Sequence, residues 1–243
     1  MLRLRQIALV ANDLDSVVGA FHTALGLDVA FNDPSVATFG LHNAVMPVGH
    51  QFVEVVSPIT EGTAGGRYLE RRHGDGGYMV ILQSDLHAAR KQRVVDLGIR
   101  MALQHDGVEY HIMQLHPADT GGSFLEIDEQ IGGEDLDGPW EPAGPDWQRA
   151  RRTHVVTGIA AAEIQSPDPH RLAARWSEIL ERPLEDLGHL YTIELDNAML
   201  RFVEATDGRG EGLGGIDVTA ASTIEGAPLD TPAIIGGLRI AVV

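Results

Sequence analysis

Two stretches decide the fold: residues 6–14, QIALVANDL, and residues 78–86, YMVILQSDL. Each starts as an apolar strand and ends on an Asp-Leu pair, Asp13-Leu14 and Asp85-Leu86. A glycine follows at the same distance from each Asp, at Gly26 and at Gly98. Forty-eight residues separate Gln6 from Glu54, and 48 separate Tyr78 from Glu126. Equal offsets at all three points mark a duplicated supersecondary unit. Glutamates at matching depth in two such units point to a site on their pseudo-twofold axis.

Each unit reads β-α-β-β-β. In the first, Leu4–Val10 is a strand pattern, and Asn12-Asp13 caps a helix that runs to about Leu25. Val17, Val18, Phe21 and Leu25 give that helix one apolar stripe, and Gly26 stops it. Strands are expected near Leu27–Phe31, Ala37–Leu41 and Gln51–Val56. In the second, Tyr78–Gln83 is the opening strand, and Asp85 is expected to cap a helix to Leu97. Three strands follow, at Ile99–His105, Glu109–Leu115 and Ser123–Asp128.

Residues 133–152 carry Pro, Gly and charge without periodicity and read as a linker. A third copy begins near Gly158, with Asp168-Pro169 opening a helix striped by Leu172, Trp176, Ile179 and Leu180. A fourth copy looks decayed, with Gly214–Ala220 as its first strand and Gly237–Val243 as its last. The organisation expected is a bimodular cup domain over 1–132, a linker over 133–152 and a degenerate second domain over 153–243.

Side chains alternate across a strand, so the pattern also assigns faces. Leu125 and Ile127 belong with the helix, and Phe124, Glu126 and Asp128 with the concave side. By the same reading Val53 and Val55 face the helix while Gln6 and Glu54 face the hollow. Tyr78, Val80 and Leu82 are expected to face the hollow too. The result is an apolar cup with Gln6, Glu54, Tyr78 and Glu126 on its floor, the usual form of a ligand site.

Composition narrows the partners. A formal charge of −17 disfavours nucleic acid and anionic membranes. Cysteine is absent, which removes disulfides, thiolate metal sites and cysteine nucleophiles. No apolar run has the length of a membrane span, and the N-terminus lacks the pattern of a signal peptide. The expectation is a cytoplasmic protein with a small-molecule partner; a homodimer is plausible.

The opening strands with Gln6-Ile7-Ala8 and Asp13-Leu14, and the closing Gly122-Ser123-Phe124-Leu125-Glu126-Ile127, resemble the vicinal oxygen chelate superfamily. That group includes glyoxalases, extradiol dioxygenases and bleomycin-binding proteins. The resemblance implies an α+β fold of paired βαβββ modules forming a curved mixed-sheet cup. It further implies a divalent metal in the cup, Mg, Mn, Zn or Ni, with slots falling on Gln6, Glu54, Tyr78 and Glu126. Tyrosine is not a usual ligand and none of the four is histidine, so a metal-free cup is the alternative. An oxygen-only set would suit Mg²⁺ or Mn²⁺ better than Zn²⁺.

The ligand candidates are thus Gln6, Glu54 and Glu126. The catalytic candidates are Glu126, His116, His111 and Tyr78: the carboxyl to move a proton, one imidazole to assist and the phenol to orient substrate. His111 and His116 are five residues apart, so at most one should reach the cup. Arg67, after Gly65-Gly66, could close over an anionic substrate; a solvated loop arginine is the commoner outcome. Glu163, Glu204 and Asp217 could outline a second cup. The expected activity is lyase or isomerase chemistry on a small oxygen-rich metabolite, with metal-free binding or sequestration as the rival.

Overall fold

The computed structural model describes residues 1–222 and 232–243. Strand β1 (Leu2–Val10) leads into helix α1 (Leu14–Leu25). Asp13 caps the helix by accepting from the Ser16 N–H, and Gly26 ends it in the left-handed region at φ 67°. The chain then takes a 3₁₀ turn over Pro34–Phe39 before β2 (Leu41–Val48) and β3 (Gln51–Pro58). The strand expected at Ala37–Leu41 is therefore a turn. Asp33 accepts from the Ser35 N–H and Pro34 sits at the first position, a start signal for helical turns rather than strands.

Helix α2 (Ala64–Arg72) follows, capped by Thr63; Gly65-Gly66 had concealed it in the sequence. The second unit is β4 (Gly76–Ser84), α3 (His87–Asp96), β5 (Met101–Asp106), β6 (Tyr110–Leu115), a single turn α4 (Pro117–Thr120) and β7 (Phe124–Gln130). Asp85 does not cap α3. Its carboxylate instead accepts from the N-terminal ammonium of Met1 at 2.6 Å.

These strands form one seven-stranded sheet in the order β2-β3-β1-β4-β7-β6-β5. β1 runs parallel to β3 and antiparallel to β4, and β4 runs parallel to β7. The duplicated units thus meet at their opening strands. The C-terminal half repeats the plan with β8 (Val156–Ser166), α5 (Pro169–Leu180), β9 (Leu184–Asp186), β10 (Tyr191–Glu194) and β11 (Met199–Glu204). β12 (Gly212–Ala220), β13 (Ala233–Ile235) and β14 (Leu238–Val242) complete a second sheet, ordered β13-β14-β12-β8-β11-β10-β9. The fourth copy's opening and closing strands are present and pair in parallel, while part of what joins them lies outside the described residues.

One apolar core joins the helix-side faces of both sheets, from Ile7, Leu9, Val53 and Ile127 to Ile164, Trp176, Phe202 and Ile240. Burial of this surface dominates the stability of the fold. Polar rivets fix the seam. Asn197 donates to the Leu4 carbonyl and accepts from the Leu4 N–H at 2.9 and 2.8 Å, and Gln51 makes the same pair of bonds with Ile159 at 3.0 and 2.7 Å. A second cluster fills the opposite face of the first sheet, with Ala8, Phe52, Tyr68, Tyr78 and Ile81. Trp140 and Trp147 belong to it. The 133–152 segment, expected as a linker, packs both indoles fully into the cup's end wall.

Candidate active site

A cavity of about 390 Å³ opens on the concave face of the first sheet. Its walls are apolar, including Leu41, Val56, Met79, Ile81, Ile112 and Phe124, and its floor carries Gln6, Asn43, Glu54, Gln114 and Glu126. Alternation puts the two glutamates there. Glu54 lies beside Ala8 in register and Glu126 beside Ile81, while Val53, Val55, Leu125 and Ile127 point to the main core.

Tyr78 also lines the cavity, but Val80 and Leu82 do not, contrary to the expected phase. The cause is a bulge. β1 pairs Ala8 with Met79 but Leu9 with Gly77, so β4 holds one extra residue and Tyr78 and Met79 both turn toward the cup. The extra residue also moves the symmetry relation. Gln6 lies beside Phe52, two residues before Glu54, and the residue beside Phe124, two before Glu126, is Met79. The structural counterpart of Gln6 is therefore Met79, not Tyr78.

Each glutamate sits in a different hydrogen-bond setting. Both Glu54 oxygens accept amide N–H groups, from Gln6 Nε2 and Asn43 Nδ2, each at 2.7 Å. Burial pushes the Glu54 carboxyl up to about 7, against the pull of those two donors. Glu126 accepts from Gln114 Nε2 at 2.9 Å. Burial, then the charge of the adjacent Asp128, holds it well above the usual carboxylate range. Asp128 is fully buried and accepts from the Tyr110 hydroxyl and the Met113 N–H. Those donors favour its ionised form, so in this pair Glu126 is the member that keeps the proton.

The residues also test whether a divalent metal fits, and they do not fit. Trp140 Nε1 donates to Gln6 Oε1 at 2.8 Å, and an indole can only donate. Gln6 therefore turns its NH₂ group, not its oxygen, toward Glu54. Met79 holds the counterpart slot, and burial pushes the Tyr78 phenol up to about 12, away from a phenolate. Among the described residues no group of three or more His, Asp or Glu is placed to hold a metal ion.

The structure thus brings together Gln6, Glu54, Tyr78 and Glu126, and leaves His111 and His116 outside the cavity lining. His111 stacks on His87 of α3, with ring centroids 5.5 Å apart, on the other side of the sheet from Ile112. His116 caps the α4 turn, its Nδ1 accepting from the Ala118 N–H. Arg67 donates to the Gly62 carbonyl at 2.6 Å and does not line the cup. Asn43, Gln114, Asp128, Tyr110 and Trp140 join the site without having been singled out from sequence. In the second sheet, Glu163 and Asp217 are each tied to both Arg201 and Arg239 at 2.7–3.2 Å, a cluster that closes on itself. Glu204 is exposed at the end of β11.

Comparison with known proteins agrees with this architecture. The model of a family described as a glyoxalase-like domain matches residues 7–180. A hypothetical protein from Staphylococcus aureus superposes with TM-score 0.69 at 12% identity, covering 100% of both chains. A mutant of 4-hydroxymandelate synthase from Streptomyces coelicolor superposes with TM-score 0.64 at 14% identity, covering 89% of this chain and 70% of its own. At these identities the likeness shows the fold alone. No curated protein sequence matches.

Proposed function

For a chain that belongs to the glyoxalase-like domain family, we propose metal-independent acid–base chemistry of lyase or isomerase type on a small, largely apolar molecule held in the cup. The observation that carries this reading is the pair of buried carboxyl groups, Glu54 and Glu126, facing one cavity with proton affinities raised by burial. A base works best when its pKa lies near the operating pH, and a neutral carboxyl can deliver a proton. Glu54, held by two amide donors, is the group that accepts a proton from substrate. Glu126, whose proton Asp128 retains, is the group that protonates the developing oxyanion. Tyr78 orients the substrate through its hydroxyl. Neither His111 nor His116 has a role in this scheme, because neither faces the cavity.

The test is solvent exchange at carbon. Small ketones and hydroxyketones are incubated with the protein in D₂O and followed by proton NMR. Exchange that is lost in both Glu54→Gln and Glu126→Gln, with the fold intact, supports the reading. Binding of a cavity ligand with no exchange or turnover supports the rival, a metal-free binding or sequestration protein. One observation favours that rival: among the described residues no imidazole lines the cup.

The protein is further proposed to work in the cytoplasm; among the described residues no helix is long and apolar enough to cross a membrane. A homodimer is also proposed, checked by light scattering of the eluting peak.

A further inference from the structure

The polar groups of the cup are matched to a ligand of one charge. Four carboxyl groups line it, Glu54 and Glu126 on the floor with Asp33 and Glu141 nearer the mouth, and no Lys, Arg or His does so among the described residues. The floor acids are over nine-tenths buried. An anionic head would have to approach Glu54 and the two mouth acids with no cationic side chain in the lining to offset the repulsion.

Hydrogen-bond supply points the same way. Gln6 and Asn43 donate to Glu54, Gln114 to Glu126, Tyr110 to Asp128 and Ser35 to Asp33. The exception is Tyr78, whose hydroxyl has no partner among the described residues although the side chain is 7% exposed and lines the cavity. Apart from Tyr78, each of these groups already serves a carboxyl of the protein, which favours a ligand that brings donors of its own. The remaining walls suit a cation with an apolar body. Tyr78 and Phe124 meet edge to face at 5.2 Å, and the Met79 thioether lies beside them on the floor. Aromatic faces and carboxylates together are the usual cage for an organic ammonium ion.

We propose that the cup takes a small apolar molecule bearing an ammonium group, which is seated against the Glu54 carboxylate and the Tyr78–Phe124 pair. This names the ligand class and rests on the cup being the ligand site, whether or not chemistry follows. It also replaces the anionic substrate for which Arg67 had been the candidate partner.

Three probes with one body separate the charges: cyclohexylmethylamine, cyclohexylmethanol and cyclohexanecarboxylate, titrated calorimetrically at neutral pH. The expected result is that the amine binds at least about tenfold tighter than the alcohol and that the carboxylate does not bind. Glu54→Gln should cut that preference to below about threefold, with melting curves confirming the fold. Equal or tighter binding of the alcohol or the carboxylate overturns the proposal, as does no binding by any probe. The wild-type series decides the charge question even if a variant fails to fold. An amine preference without solvent exchange at carbon removes the enzyme reading and keeps the ligand class. Exchange on neutral ketones with no amine preference does the reverse.

Discussion

The indole N–H of Trp140 reaches Gln6 Oε1 at 2.8 Å across 134 residues of sequence. That bond fixes which way the Gln6 amide points, and so fixes the Nε2–Glu54 bond beyond it. A second chain runs from Glu126 through Asp128 to the Tyr110 hydroxyl. The Tyr110 and Trp140 rings then meet edge to face at 5.4 Å, so the two acids of the cup are backed by networks that touch at their far ends. The segment between the two sheets is therefore part of the site.

Trp140→Phe tests that backing. It deletes the donor, leaving Gln6 Oε1 buried without a partner, and also removes part of the indole's buried volume. The expected cost is about 1–3 kcal/mol of stability, read from urea denaturation. The Gln6 amide also becomes free to turn over. A variant as stable as the wild type would mean that the bond does not hold Gln6.

The place of Met79 predicts where a metal site can be restored. Met79→His puts an imidazole in the slot opposite Gln6, next to the Glu54 and Glu126 carboxyl groups. It should raise Ni²⁺ or Zn²⁺ affinity at least about tenfold over wild type, by calorimetric titration. Tyr78→His should not, because the bulge carries that position out of the ligand slot. Equal gains in both variants would return the symmetry relation to Tyr78, and tight metal binding by the wild type that is lost in Glu126→Gln would reverse the misfit altogether.

What the sequence made legible was periodic. Offsets of 48 residues, the Asp-Leu pairs and strand alternation pointed Glu54 and Glu126 to one hollow, and both line the same cavity. The one-residue bulge in β4 breaks alternation locally, and only Gly76-Gly77 hinted at it, since glycine inside a strand often marks a bulge. Trp140 escaped for a different reason. It lies in a stretch of Pro, Gly and 3₁₀ turns with no period to read, yet two tryptophans within 133–152 are too much apolar surface for a solvated linker. Asn43 and Gln114 are neutral amides on inner strands, and nothing in one sequence separates such a residue from a satisfied structural one.

Glu54 makes a pH prediction. It binds its proton more tightly folded than unfolded, rising from 4.5 to about 7 because burial disfavours the charge. Its contribution to stability is thus intact below about pH 4.5, declines as pH rises and is lost above about 7. Glu54→Gln removes this term, so the variant should gain on the wild type as pH is raised from 5 to 8, by up to about 3 kcal/mol. Melting temperatures of the two proteins over that range give the slope. A difference that is flat or of opposite sign would show that Glu54 is ionised in the folded protein throughout.

Gly49 ties the cup to the second sheet, and its substitution separates contact from conformation. It turns β2 into β3 at φ 64°, and a Cβ there would lie 1.9 Å from the Thr157 carbonyl oxygen, on backbone just inside β8. Gly62 has nearly the same conformation, φ 73°, with nothing within 4 Å of its would-be Cβ. Gly62→Ala should therefore cost about 1–2 kcal/mol, the left-handed penalty alone. Gly49→Ala carries that penalty and must also push the turn off β8, which strains the Gln51–Ile159 pair two residues away. Its loss in urea denaturation should exceed that of Gly62→Ala by at least about 2 kcal/mol. Equal losses would mean that the β2–β3 turn rides freely over the second sheet, and that the wall of the cup is not braced from the C-terminal half.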